Sequence, residues 1–178
     1  ELDLLDKNKF EFCIINDFPF YEENEETGAI EFSHNPFSMP KGGLDALNNK
    51  NPFEIEAFQY DFVCNGYEMA SGGVRNHSPE ILKKAFELVG YGEDIVRSKF
   101  PSLYEAFKYG APPHAGAAPG IDRMIMLLLE ESNIREVIAF PKNSKARDLL
   151  MRAPSVVNKS QLDDVHIRIK EEDLKKDE

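Results

Sequence analysis

The chain has 178 residues, 42% hydrophobic and 30% charged, enough for about one domain with a buried core. Its formal net charge of −11 is the wrong sign for a free-standing nucleic-acid binder. No run approaches the ~18 apolar residues of a membrane span, and the acidic start, Glu1 to Asp6, lacks the pattern of a secretory signal.

The first element is a strand over Phe10 to Asp17, buried towards its end and stopped by Pro19. Cys13 within it and Cys64 later stand singly in apolar runs. Both read as reduced core thiols of a cytosolic protein. Tyr21 to Gly28 reads as a solvated acidic loop, and Ala29 to Ser33 as a short strand. After His34, Pro36 restricts Asn35 to extended geometry. Pro40 to Pro52, rich in Gly, Asn and Lys, reads as a mobile loop.

Phe58 to Cys64 is strand-like, and Asn65-Gly66 is a strong hairpin signal. Tyr67 to Arg75 is the return strand. A two-residue turn pairs Cys64 with Tyr67 and Val63 with Glu68. Asp61 then lies on the face of Glu68, as a diagonal neighbour about 7–8 Å away. Two carboxylates so placed suit a Mg²⁺ ion that keeps waters and holds phosphates; the same spacing also fits two acids on a solvated face. In an unbroken strand Arg75 lies on the opposite face from Glu68. A role for Arg75 beside Glu68 therefore requires a bulge, and Gly72-Gly73 is where the spacing places it.

Ser78-Pro79 caps and opens a helix whose stripe is Ile81, Leu82, Ala85, Phe86 and Val89, ended by Gly90. Further helical pieces cover Gly92 to Lys99 and Ser102 to Lys108. The small residues Ala115 to Ala118 read as a central strand, and Ile121 to Glu131 as a helix apolar nearly all round and hence buried. The helix start after Gly120, with Arg123 in its first turn, makes a plausible anion seat; a strand packed closely on a helix with Arg123 on the surface fits equally. Val137 to Phe140 reads as a closing strand, and Pro141 to Met151 as leading into a helix. Lys170 to Glu178 reads as a frayed tail. Strands and helices are mixed around a central hairpin. This favours α+β, an antiparallel β-sheet flanked by helices.

The P-loop, G-x-G-x-x-G, G-x-S-x-G and H-E-x-x-H patterns are absent, and His34, His77, His114 and His166 do not fall at metal-ligand spacings. Two stretches are specific together. Phe62-Val63-Cys64-Asn65-Gly66-Tyr67-Glu68-Met69-Ala70-Ser71-Gly72-Gly73-Val74-Arg75 resembles the bacterial aspartyl-tRNA synthetases. Gly110 to Arg123, with Pro112-Pro113-His114 and Gly120-Ile121-Asp122-Arg123, resembles their class II motif 3, at about 114–130. The likeness continues in Asp17-Phe18-Pro19, Ser33 to Phe37, Asn133 to Lys142 and Ala153-Pro154-Ser155. It covers nearly the whole chain. Many members carry His-His-Pro where this chain has His34-Asn35-Pro36, and Pro119 stands where a Phe is common.

The resemblance implies an ATP- and Mg²⁺-dependent enzyme that activates L-aspartate and transfers it to tRNA. By position, Arg123 would clamp the ATP phosphates as a catalytic residue, with Gly120, Ile121 and Asp122 lining the nucleotide. Glu68 would contact ATP through Mg²⁺, and Asp61 would be the second metal carboxylate. Arg75 would hold the aspartate side-chain carboxylate, for which its fork of donors is suited, and His34 would line the same pocket. The family's motif 1 (the homodimer element), motif 2 and anticodon-binding barrel find no counterpart in residues 1–178. The chain also lacks an initiator Met. The expectation is thus the C-terminal part of a catalytic domain, cytoplasmic, not membrane-bound and inactive alone. The alternatives are a relative specific for asparagine or lysine, with lysine disfavoured by the Arg75 cation, and a non-catalytic paralogue acting as a binding module.

Overall fold

The Asn65-Gly66 turn sets the register from which the rest of the sheet follows. Asn65 and Gly66 take φ of 48° and 83°, the positive values a tight hairpin needs. The turn joins β4 (Glu56–Cys64) to β5 (Tyr67–Val74), with Cys64 opposite Tyr67 and Val63 opposite Glu68 as predicted. The structure, a computed structural model, describes residues 8–170 and divides after Ile125 into two compact units. The expected frayed tail falls almost wholly outside the described residues.

In the first unit, β1 (Phe12–Pro19) and β6 (Ala115–Pro119) flank the hairpin, giving an antiparallel sheet in the order β1-β4-β5-β6. A separate two-stranded ribbon pairs β2 (Tyr21–Glu23) with β3 (Ile30–Phe32). Helices α1 (Gly43–Asn49), α2 (Pro79–Leu88), α3 (Glu93–Lys99) and α4 (Pro101–Phe107) complete it. The expected α+β class, an antiparallel sheet with helices against it, is what forms. The core joins Phe20, Tyr21, Leu47, Ile55, Ala57 and Ala85, and continues through Leu82, Phe86, Val96 and Tyr104. The α2 stripe is as predicted. The Ser78 hydroxyl accepts from the Ile81 N–H, and Gly90 follows the helix at φ 84°.

Several expectations are corrected. β1 is not buried towards its end: Ile14 and Ile15 are 65% and 49% exposed, and Cys13 is exposed while Cys64 is buried. The strand also runs through Pro19, which the edge position tolerates. Tyr21 is core rather than loop, with its hydroxyl donating to the Ala85 carbonyl at 2.9 Å. Pro40 to Pro52 is not a loop. It holds α1, which buries Ala46 and Leu47 and starts beyond Gly42 at φ 82°.

β6 is an edge strand of this sheet, not a central one. Gly72-Gly73 holds no bulge; both residues pair regularly with Tyr60 and Gln59. Gly72 is small for another reason. The Tyr60 ring crosses it to donate from its hydroxyl to the Gly116 carbonyl on β6, and a Cβ at Gly72 would sit 2.7 Å from that ring.

The helix α5 (Ile121–Leu128) leads into the second unit and is not buried all round: Ile121 and Leu128 are 59% and 70% exposed. In the second unit Val137 to Phe140 forms no strand. Pro141 to Met151 forms no helix, but turns closed by bridges from Asp148 to Lys142 and Ala153. The one α-helix wholly within this unit's described residues is α6 (Lys159–Asp164), which follows that stretch. No helix among the described residues is long and apolar enough to cross a membrane.

Candidate active site

Two strand irregularities decide which side chains meet. The first is at Met69. Val63 pairs with Glu68 but Phe62 pairs with Ala70, so Met69 is an extra residue on β5. One inserted residue inverts the alternation. Asp61 stands opposite Ser71 and Gln59 opposite Gly73, so Glu68 before the bulge and Arg75 beyond it share the face of Asp61. The bulge that Arg75 requires is therefore present, six residues before it rather than at Gly72-Gly73.

The second irregularity is at Asp17, which has φ 62°. Asn16 pairs with Tyr60 but Phe18 pairs with Ala57, so Phe18 moves to the face of Gln59 and Asp61. Together these residues line a cavity of about 650 Å³. His34, Asp61, Glu68 and Arg75, all named from the sequence, are on its wall, with Phe18, Gln59 and His114.

The loop carrying His34 is fastened from below. Buried Gln59 donates to the Ser38 hydroxyl at 2.6 Å, and that hydroxyl donates to the Asn35 carbonyl at 2.6 Å. Arg75 is fixed by its backbone, its N–H donating to the His114 carbonyl at 2.9 Å. Its guanidinium lies 5.9 Å from the centre of the Phe37 ring. No carboxylate among the described residues pairs with it. Ser38, Gln59, Phe18 and His114 were missed as site residues. Gln59 could have been found, because it sits two residues from Asp61 on one strand.

Gly120, Ile121, Asp122 and Arg123 do not line this cavity; they adjoin it through the bulge. The Gly120 N–H donates to the Met69 carbonyl at 2.8 Å. The Arg123 guanidinium donates to the Glu68 carbonyl at 2.7 Å and lies 3.5 Å from its carboxylate. The bulge thus does two things: it turns Arg75 to the cavity and docks the start of α5 beside Glu68.

The electrostatics follow from this placement. Burial first, and then the Glu68 carboxylate, push the Asp61 carboxyl above the usual range, while His34 and Arg123 pull it back. Among the described residues no group of three or more His, Cys, Asp or Glu side chains could hold a metal. The donor set is two carboxylates facing one opening. That suits Mg²⁺, which retains waters and takes oxygens from a phosphate, rather than an ion caged by protein. A carboxyl raised in the fold favours the folded state when protonated. Stability is lost as pH rises from the ordinary value of 3.8 through the raised one, and the loss persists above it. Asp61→Asn is therefore expected to raise the Tm of the metal-free protein slightly at pH ~7 and leave it unchanged near pH ~3, where both states hold the proton. Thermal scans in chelator at the two pH values check this.

Comparison with known proteins agrees with the fold. The family model of tRNA synthetases class II (D, K and N) matches residues 2–144. The chain is 56% identical over 169 residues to an aspartate–tRNA(Asp/Asn) ligase of Gluconobacter oxydans, covering 95% of this chain and 28% of that protein. It is 61% identical over 168 residues to the like-named ligase of Erythrobacter litoralis, covering 94% of this chain and 28% of that one. With the ligase of Rickettsia akari it is 59% identical over 173 residues, 95% of this chain and 29% of that protein. The chain thus spans well under a third of these relatives' length. Among solved structures, the aspartyl-tRNA synthetase of Entamoeba histolytica matches with a TM-score of 0.55 at 28% identity, over 77% of this chain and 23% of that one. An asparaginyl-tRNA synthetase from the same organism shares the fold, with a TM-score of 0.53 at 20% identity over 77% of this chain and 26% of that one. The chain belongs to the class II tRNA synthetases of the D, K and N group.

Proposed function

We propose that this chain is the C-terminal part of the catalytic domain of an aspartate–tRNA ligase, which activates L-aspartate with ATP and transfers it to tRNA. The observation that carries the reading is that Arg75, without a carboxylate partner among the described residues, lines the same cavity as Asp61 and Glu68. A guanidinium on the cavity wall with no carboxylate of the described residues beside it is suited to a ligand carboxylate. It disfavours lysine, and it has no use for its charge with asparagine. The relatives' names support aspartate and a tRNA partner.

In this reading Arg75 and His34 hold the amino acid, with Arg75 on its side-chain carboxylate. Asp61 and Glu68 would hold Mg²⁺, which when bound offsets charge on phosphate oxygens. Arg123, beside Glu68, would lie over the ATP phosphates, and Gly120, Ile121 and Asp122 would line the nucleotide. The chain's residues orient the reactants and balance developing charge; none acts as a nucleophile. Exposed Phe12, Ile14 and Phe62, on one face of the sheet, fit a part of a larger domain. Dimer contacts, tRNA contacts and the remaining ATP contacts would lie in the rest of the protein, which we place in the cytoplasm. A non-catalytic paralogue would be expected to lose Arg123 or Glu68, and both are present.

Aspartate-dependent exchange of labelled pyrophosphate into ATP tests the reading. The complete enzyme is expected to show exchange and the isolated chain none. Turnover by the purified chain would show that no essential charge-balancing group is missing from it.

A further inference from the structure

We propose that Phe18 is a positioning residue that fixes the His34 ring, and that Asp17 and Lys41 hold Phe18 in place. The aspartate arm of the test rests on the reading of His34 given above. The His34 side chain is exposed and makes no hydrogen bond among the described residues. What holds its ring is the Phe18 ring, edge-on at 4.9 Å between centroids with an interplanar angle of 87°. This is a favoured aromatic geometry.

Phe18 reaches that place only because of the irregularity at Asp17. In a regular ladder Phe18 would share the face of Asn16, away from the cavity. The shift depends on a left-handed backbone at a non-glycine residue, a conformation that persists only when its surroundings impose it. Lys41 supplies that imposition. Its ammonium lies 2.6 Å from the Asp17 carboxylate on β1 and 3.0 Å from the Glu56 carboxylate on β4. The Lys41 N–H also donates to the Glu56 carbonyl at 2.7 Å, so the clamp is built on a fixed backbone. Lys41 itself does not line the cavity.

The test uses the complete enzyme with Phe18→Leu, Lys41→Met, His34→Ala and the combinations with His34→Ala. Phe18→Leu is expected to raise KM for aspartate about three- to tenfold, the size of one lost aromatic pair. KM for ATP should not move, and the rise should vanish when His34 is already Ala. Lys41→Met should give a smaller shift of the same kind without altering the cavity wall. NMR of labelled histidine gives an independent readout. The His34 ring signal, assigned by its loss in His34→Ala, should leave its ring-current-shifted position in both Phe18→Leu and Lys41→Met. An unmoved signal, a KM effect that adds to that of His34→Ala, or an equal rise in KM for ATP would each overturn the proposal. A signal that moves while aspartate KM ignores all three substitutions would uphold the positioning role and remove His34 from the aspartate site.

Discussion

Arg123→Ala is expected to lower aspartate-dependent pyrophosphate exchange by the complete enzyme by about 10²–10³, the usual loss when one preorganised group facing developing charge is removed. Arg123 sits in the first turn of α5, where the helix dipole adds to its charge. Its guanidinium is held on the Glu68 carbonyl at 2.7 Å, so little reordering is needed to present it. The cost to folding should be small. Both side chains of the Arg123–Glu68 pair are 44% exposed, and such pairs contribute about 0–1 kcal/mol. A large rate loss with a nearly unchanged Tm separates a role at the phosphates from a merely structural one. Arg123→Lys should recover only part of the rate, because one ammonium cannot reproduce the guanidinium fork. Comparable losses in rate and stability would instead mark Arg123 as a strut for the bulge.

Arg75→Ala should raise KM for aspartate by about 10²–10³, in line with the ~2–5 kcal/mol lost when one partner of a desolvated charge pair is truncated. KM for ATP should change little. The side chain lies on the cavity wall, and its backbone N–H is tied to His114, so the strand end should survive the substitution. Arg75→Lys should not rescue aspartate binding, since recognition depends on paired, fixed donors. Steady-state kinetics with each substrate varied in turn checks both expectations. Equal rises in both KM values would place Arg75 in the scaffold rather than in the amino-acid pocket.

What the sequence disclosed depended on how local the signal was. Asn65-Gly66 fixes a hairpin register without help from elsewhere, and Cys64, Val63, Tyr67 and Glu68 pair as its spacing requires. Ser78-Pro79 and Gly90 likewise mark a helix at both ends. The bulge at Met69 left no such mark. A count by twos assumes one residue opposite one, and Met69 is an ordinary apolar residue, buried where it stands. Gly72-Gly73 drew attention because glycine permits a bulge. Here glycine instead makes room for the Tyr60 ring, a reason that depends on β6, some forty residues on. Pro40 to Pro52 misled by composition, since Asn and Gly flank a helix too short for periodicity to show. Ile121 to Leu128 misled differently: an apolar helix states what it can bury, not that this chain supplies the partner.

The site itself was legible as residue types and less so as geometry. Turn spacing alone puts Asp61 and Glu68 on one face, and they do share it. His34 is pointed to by resemblance alone, and no local signal in the sequence shows that Phe18 bears on it. Gly120 to Arg123 were expected to open on the same space as the other site residues, but they join it through Glu68.

The measurement that bears most directly on the assignment is the amino-acid dependence of pyrophosphate exchange into ATP by the complete enzyme. Exchange with aspartate and none above background with asparagine or lysine is the expected result. Exchange with asparagine or lysine in place of aspartate would keep the fold and contradict the role given to Arg75. Silence with every amino acid would contradict the catalytic reading altogether.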